Sequence, residues 1–370
     1  MLRSLALPAA CLTGLSLATV AWASHGPRLF ERGEPIDVRV AETLAEPPSI
    51  EAEIAPAPTP LTDGYALHEW GVVRFDAGIP EIVTSGYDDR VQGLQAPTID
   101  RPVHVRKPLI YLHPGPDFDL STNIDITVSL AQGTLHEVWP TPALGAQPAH
   151  GNAFTWSGVQ IAGESCGAQT APQLVDLPCA SLGAGHVCEA FELTAYLGEV
   201  PHCLTYDGIA APVLLYNGEP ENLNPPVHVA DVVDENGGRS TRVMNISGAA
   251  IGIAYILEGR QVYRVDGIRG LGSVDTSTLT PSFWLGESDE SLIESIRADL
   301  IGLGLTAGEA DDFVAAWRPD VLNTTVLPWR VFGFYDRTSI DASWPLQANP
   351  APQRIERVMA FTIENPPVFE

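Results

Sequence analysis

Positive charge is scarce in this chain. Lys107 is its one lysine, and 20 Lys and Arg together face 46 Asp and Glu, for a formal net charge of −26. Nucleic acid and anionic lipid need clustered cations to neutralise them, so this balance excludes both as partners. Long apolar runs are also missing after the first two dozen residues. The longest, residues 246–257, is interrupted by Ser247, Gly248 and Gly252. It reads as buried strand and excludes a later membrane span. No His-Glu-x-x-His pattern and no internal repeat occur, which removes the commonest helical zinc motif and solenoid architectures.

The start of the chain has the form of a secretory leader. Arg3 gives a positive start, Leu5 to Val20 an apolar stretch, and Ala21-Trp22-Ala23 a small-x-small cleavage site. Cys11 follows Leu7-Pro8-Ala9-Ala10, a loose form of the lipoprotein signal, but Pro8 stands where a leucine is wanted. The expectation is cleavage after residue 23 and a soluble exported product in the periplasm, on the outer surface or in the medium. Loss of Arg3 leaves 19 basic against 46 acidic residues, a net of −27. Residues 24–60 are rich in proline, alanine and acids without a hydrophobic period, and read as an extended linker. Residues 61–370 are the expected globular region, as one large domain or two lobes.

Four cysteines remain in the exported product: Cys166, Cys179, Cys188 and Cys203. An even count in an oxidising compartment points to two disulfides, with three pairings open, stapling an excursion at 163–205. The rival is a zinc site assisted by His186 and His202. Its cysteines lack the close pairs that structural zinc motifs use.

The globular region reads as mainly β, sandwich-like and antiparallel. Expected strands are 67–75, 107–113, 124–130 and 134–139, then a hairpin of 227–233 with 240–246 around Asn236-Gly237. A second pair joins 249–257 to 261–265 at Glu258-Gly259-Arg260, and strands at 329–335 and 354–363 close the chain. Between them lies a two-helix hairpin near 289–318. Leu292, Ile293, Ile296 and Leu300 mark one apolar face after Ser288. Thr306-Ala-Gly-Glu309 is a capping box for a second helix with Ala310, Phe313, Val314 and Trp317 inward.

Several groups invite chemistry. His68, His104, His113 and His136 lie on or beside strands and are candidate transition-metal ligands, with Glu69 and Glu137 as candidate general bases. Successive strand residues point to opposite faces, so His68 and Glu69 cannot serve one ion together. Asp117 and Asp119 open a run with oxygen donors at every second position, which suits calcium. The run lacks the glycine at position six and has Val128 where a bidentate glutamate belongs. Gly163-Glu164-Ser165-Cys166-Gly167 has the form of a nucleophile elbow, but no helical period follows it, so it reads as a turn beside a disulfide. Trp70, Trp139, Trp156, Trp284, Trp317, Trp329 and Trp344 supply either core or an open face for glycan stacking.

His68-Glu69-Trp70-Gly71, Arg106-Lys107-Pro108-Leu109-Ile110-Tyr111, Glu137-Val138-Trp139-Pro140, Gly304-Leu305 with Glu309 and Trp317, Pro345-Leu346 and Arg357-Val358 occur in that order. Together they resemble a group of uncharacterised exported bacterial proteins marked by a His-Glu-Trp-Gly signature, over about residues 67–360. The chain departs from the group at Val72, where a threonine is expected. The resemblance implies export and a shared architecture, and no activity. The leading expectation is a binding or structural module of the cell envelope, with a protein or glycan partner and no transition metal. The alternative is a metal-dependent hydrolase built on the histidines above. Calcium and zinc are the cofactors to test. Imidazoles converging in a cleft would favour the alternative.

Overall fold

The computed structural model describes residues 60–75, 81–84, 103–140, 151–162, 166, 197–198, 202–221, 223–286, 289–319, 321–325 and 327–364. The leader, nearly all of the linker, Ser165, Cys179, Cys188, His186 and Ser288 lie outside these residues.

Eighteen strands are present among the described residues. The first nine are β1 (Tyr65–Phe75), β2 (Glu81–Thr84), β3 (His104–Pro114), β4 (Ile124–Ser129), β5 (Gly133–Trp139), β6 (Ala153–Ala162), β7 (Cys203–Tyr206), β8 (Ile209–Ala211) and β9 (Leu214–Pro220). The rest are β10 (Val227–Val233), β11 (Arg239–Asn245), β12 (Ile251–Glu258), β13 (Gln261–Ile268), β14 (Ser273–Asp275), β15 (Phe283–Trp284), β16 (Trp329–Phe334), β17 (Leu346–Asn349) and β18 (Arg354–Glu364). Three helices accompany them: α1 (Asp289–Gly302), α2 (Ala307–Trp317) and α3 (Arg337–Ser343).

The fold is mainly β, as the alternating segments predict. Nine strands form one sheet in the order β15-β13-β12-β16-β18-β1-β3-β9-β5. A four-stranded sheet (β14-β11-β10-β2) and a five-stranded sheet (β17-β4-β6-β7-β8) complete it. Pairing is antiparallel except for β1 with β18 and β10 with β2. The centre of the large sheet is therefore made by the first and last strands of the folded region.

The large sheet is covered on both faces, so its central strands lose the simple in-out alternation of polarity. On one face Trp70, Tyr111, Leu215, Tyr255, Phe332 and Val358 pack with Leu292, Ile296, Phe313 and Trp317 of the helix pair. Phe313 meets Trp70 edge-on at 5.3 Å. On the other face Leu67, Ile110, Leu112, Tyr216, Met359 and Phe361 share a core with Ile126, Trp156 and Val159 of the five-stranded sheet. The late helix pair thus docks through the faces its periodicity marks.

Gly71 is needed for close approach. A Cβ there would lie 2.9 Å from Met359 Sδ and 3.1 Å from the Pro108 backbone, and the β1–β3 register shifts between Trp70 and Val72. In the β10–β11 hairpin Gly237 alone takes positive φ, at 79°, while Asp234 accepts the amides of Asn236 and Gly238. A two-residue Asn-Gly turn would put both Asn236 and Gly237 at positive φ; here the longer connection needs only Gly237 there, with an Asx turn doing the rest. β6, β9 and α3 are further elements beyond those expected from the sequence. Cys166 and Cys203 form a disulfide that ties β7 to the chain just beyond β6. No helix among the described residues is long and apolar enough to cross a membrane.

Candidate functional site

His68 and Glu69 sit side by side on β1 and enter different worlds. Strand geometry sends them to opposite faces of the large sheet. His68 faces the helix pair, beside Tyr111 across the β1–β3 ladder, with His113 two residues further along β3 on the same face. The two imidazole rings lie 4.5 Å apart. Both reach one carboxylate on α2: His68 Nδ1 lies 2.9 Å from Glu309 Oε2, and His113 Nε2 lies 2.8 Å from Glu309 Oε1.

Glu309 is placed by the start of its helix. The Thr306 side chain accepts the Glu309 amide at 3.2 Å, and Glu309 Oε2 accepts the Thr306 amide at 2.8 Å, which completes the capping box. The cap therefore aims a buried carboxylate at the sheet. Burial pushes the Glu309 carboxyl up, but hydrogen bonds from His113 and His68, and their charge, outweigh it and hold the group well below the usual carboxylate range. An ionised carboxylate only accepts, so His68 donates to it through Nδ1 and His113 through Nε2. His68 is 2% exposed, and its own Nε2 is buried with no hydrogen-bond partner among the described residues.

One helical turn further on, Asp312 accepts the Tyr111 hydroxyl at 3.1 Å and the Gly198 amide at 2.6 Å. Burial pushes its carboxyl up to about 6, against those two hydrogen bonds, with Glu309 and Asp311 adding to the rise. His202, just before Cys203, sets its ring edge-on to His113 at 6.5 Å. Its Nδ1 is buried and also has no hydrogen-bond partner among the described residues. Burial and then the charge of His113 lower the basicity of His202.

His68, His113 and Glu309 form a group able to hold a metal ion, with one ligand atom from each and all three atoms within 4.8 Å of one another. Zinc bonds to nitrogen and oxygen are about 2.0–2.2 Å, which sets tetrahedral ligand atoms roughly 3.3 Å apart. The Glu309 oxygens lie 2.9 Å and 2.8 Å from the imidazole nitrogens of His68 and His113, inside that spacing, so an ion would replace these two hydrogen bonds. Two imidazoles and a carboxylate suit zinc, iron or manganese, whereas calcium takes oxygen donors throughout.

The remaining sequence candidates go elsewhere. Glu69 is fully buried on the opposite face, where its Oε1 accepts the Tyr216 hydroxyl at 2.6 Å and its Oε2 accepts Arg357 Nε at 2.5 Å. Arg357 continues to Asp341 at 2.8 Å. This rules Glu69 out as a base for the His68 group. Glu137, on the edge strand β5, accepts Asn217 Nδ2 at 2.9 Å, and His136 pairs with Glu219 at 3.3 Å. His104 is at the opposite end of β3 from His113, and its side chain lies outside the described residues. Asp119 spends Oδ1 on the amide and hydroxyl of Ser121, a local turn that explains the alternating oxygens, and Asp117 is exposed nearby. Six of the seven tryptophans are buried; Trp284, 48% exposed, is the exception, so no stacked aromatic face forms among the described residues. Of the four cysteines, Cys166 and Cys203 are joined.

Glu309 stands in the sequence as a helix cap and within the His-Glu-Trp-Gly resemblance, Tyr111 only within that resemblance, and Asp312 carries no signal of its own. The site and fold define a mixed-sheet protein with a buried His-His-Glu cluster under a helix N-terminus. No family model and no curated protein matches the chain. Among solved structures it is similar to the Fcho1 Mu homology domain of Danio rerio with bound Eps15 peptide, at 7% identity and TM-score 0.30, covering 82% of this chain and 96% of that one.

Proposed function

We propose that the chain is an exported, acidic binding module of the cell envelope that holds one divalent transition-metal ion, zinc foremost, between His68, His113 and Glu309. The observation that carries this is the convergence of two imidazoles on one buried carboxylate, with one ligand atom from each within 4.8 Å of the others. Export rests on the leader pattern, and the Cys166–Cys203 bond fits an oxidising compartment. A glycan ligand is disfavoured because the tryptophans are spent on the core.

The test is metal analysis of the mature protein purified from an oxidising compartment without chelators, followed by zinc titration. One ion per chain is expected in the wild type, and its loss in His68→Ala, His113→Ala and Glu309→Gln. A metal-free wild type whose melting temperature ignores added zinc leaves the cluster as a hydrogen-bonded support for α2, and ends the proposal. Metal-assisted hydrolysis is the second reading, favoured by the count of three protein ligands, which matches catalytic zinc sites with an open position. It requires zinc-dependent turnover of ester or phosphoester substrates that Glu309→Gln abolishes.

A further inference from the structure

We infer that Asp312 is the counter-charge of the His68–His113–Glu309 centre: it stays outside the ligand set and supplies the second buried negative charge that neutralises a divalent ion. The inference rests on the metal reading above and deepens it, by naming the residue that balances the charge of the ion.

Asp312 is 3% exposed and lies one helical turn beyond Glu309, on the same side of α2. Its Oδ2 accepts the Tyr111 hydroxyl and its Oδ1 the Gly198 amide, both neutral donors. A Cβ at Gly198 would lie 3.2 Å from Asp312 Oδ1, so the glycine lets a backbone donor come close. Tyr111 stands opposite His68 in the β1–β3 ladder, and its ring runs parallel to that of His113 at 6.4 Å. The carboxylate is therefore anchored to the strand that carries one imidazole, beside the strand that carries the other.

Two other buried carboxylates show the usual remedy for a charge out of water. Arg357 faces Glu69 at 2.5 Å, and Arg264 faces Asp299 at 2.6 Å. Asp312 has no ion pair among the described residues, and Glu309 and Asp311 join burial in opposing its ionisation. An asparagine would accept the Tyr111 hydroxyl without that cost, so the bond alone does not account for a carboxyl group here. A divalent ion does. Metal-bound imidazoles are neutral, so an ion held by His68, His113 and Glu309 keeps one positive charge, which Asp312 cancels. The three atoms that converge within 4.8 Å come from His68, His113 and Glu309. Asp312 keeps its oxygens on Tyr111 and Gly198, and acts through its charge.

The decisive experiment is a competition titration of zinc against a chromophoric chelator at pH 7.5, on the full mature chain, beside thermal melts of the same proteins without metal. Asp312→Asn keeps an acceptor for Tyr111 and removes the charge. Its zinc affinity should fall by about 10- to 100-fold, the range typical of partners outside the ligand set, while the metal-free variant melts above wild type. A purely structural carboxylate does not move the two readouts in opposite directions. Tyr111→Phe keeps the charge and loses one bond, so its loss of affinity should be smaller. Cobalt should give the same visible bands in wild type and Asp312→Asn, because no ligand changes. Wild-type zinc affinity in Asp312→Asn overturns the counter-charge. So does a metal-free Asp312→Asn protein that melts below wild type or fails to fold, since the carboxylate then supports the chain without an ion. An equal loss in Tyr111→Phe assigns the effect to the bond, and altered cobalt bands assign Asp312 to the ligand set; either one overturns the inference. A wild type that binds neither zinc nor cobalt brings down the metal reading itself, and this inference with it.

Discussion

The two faces of β1 bury the same kind of material and settle it differently. Toward the smaller sheet, Glu69 meets Tyr216 and Arg357, and both of its oxygens are used. Toward the helices, Glu309 meets His68, His113 and its own cap, and His68 Nε2 is left without a hydrogen-bond partner among the described residues. Arg357 Nη2 is also buried without a hydrogen-bond partner among the described residues. A guanidinium nitrogen only donates and repels cations, whereas the helix side groups His68, His113 and Glu309 so that they could hold one.

The largest break in this comparison should come from Arg357→Ala. Burial works against the Arg357 charge, and Glu69 more than offsets it, so the pair stands or falls together. Removing one partner leaves Glu69 as an uncompensated buried charge, a loss of about 3–5 kcal/mol in denaturant unfolding. His68→Ala should cost less than half as much, since Glu309 keeps its cap and His113. A comparable loss in both variants would show that the two faces do not differ.

Asp312→Asn should sharpen the comparison through pH. The folded carboxyl is raised to about 6 from an ordinary value near 3.8, so the native state binds the proton more tightly than the unfolded chain. Its favourable contribution is complete below about pH 4 and is lost as pH rises through about 6. The metal-free variant should therefore gain about 3 kcal/mol over wild type at pH 7.5 and none at pH 4. Glu309 has the opposite sign: its contribution is present above an ordinary glutamate value of about 4.3 and fades as pH falls below that. Equal destabilisation by Asp312→Asn at both pH values would refute the assignment.

Thr306→Ala should have the smallest effect, about 1 kcal/mol from the lost side-chain acceptor. Glu309 still receives the Thr306 amide there, so zinc affinity should change by less than about threefold, about half of RT ln 10. A large loss of affinity would show that the hydroxyl, and not the helix start as such, aims the carboxylate.

Local features of the fold were legible because their causes are local. The capping box at Thr306 and Glu309, the apolar faces of α1 and α2, and the β10–β11 hairpin all follow from spacing within a few residues. The adjacency of His68 and Glu69 also told correctly that they part company. Glu309 escaped because a glutamate at the third position of a helix already has a sufficient local explanation, and its partner His68 is 241 residues away. Arg357 stood within a familiar-looking dipeptide, yet its role depends on the parallel register of β1 with β18. Periodicity marks which residues turn inward, and pairing across the whole chain decides which of them meet.

That parallel pair also orders events in time. Residues 65–75 wait for residues 354–364 before the middle of the large sheet can close. Contacts of such long sequence separation slow folding, because the loop must close before it is rewarded. Any chain stopped before Arg354 exposes one whole edge of β1 and lacks the Arg357 partner of Glu69. During synthesis, most of this protein must exist without a finished core, a condition in which a polypeptide is still free to be threaded.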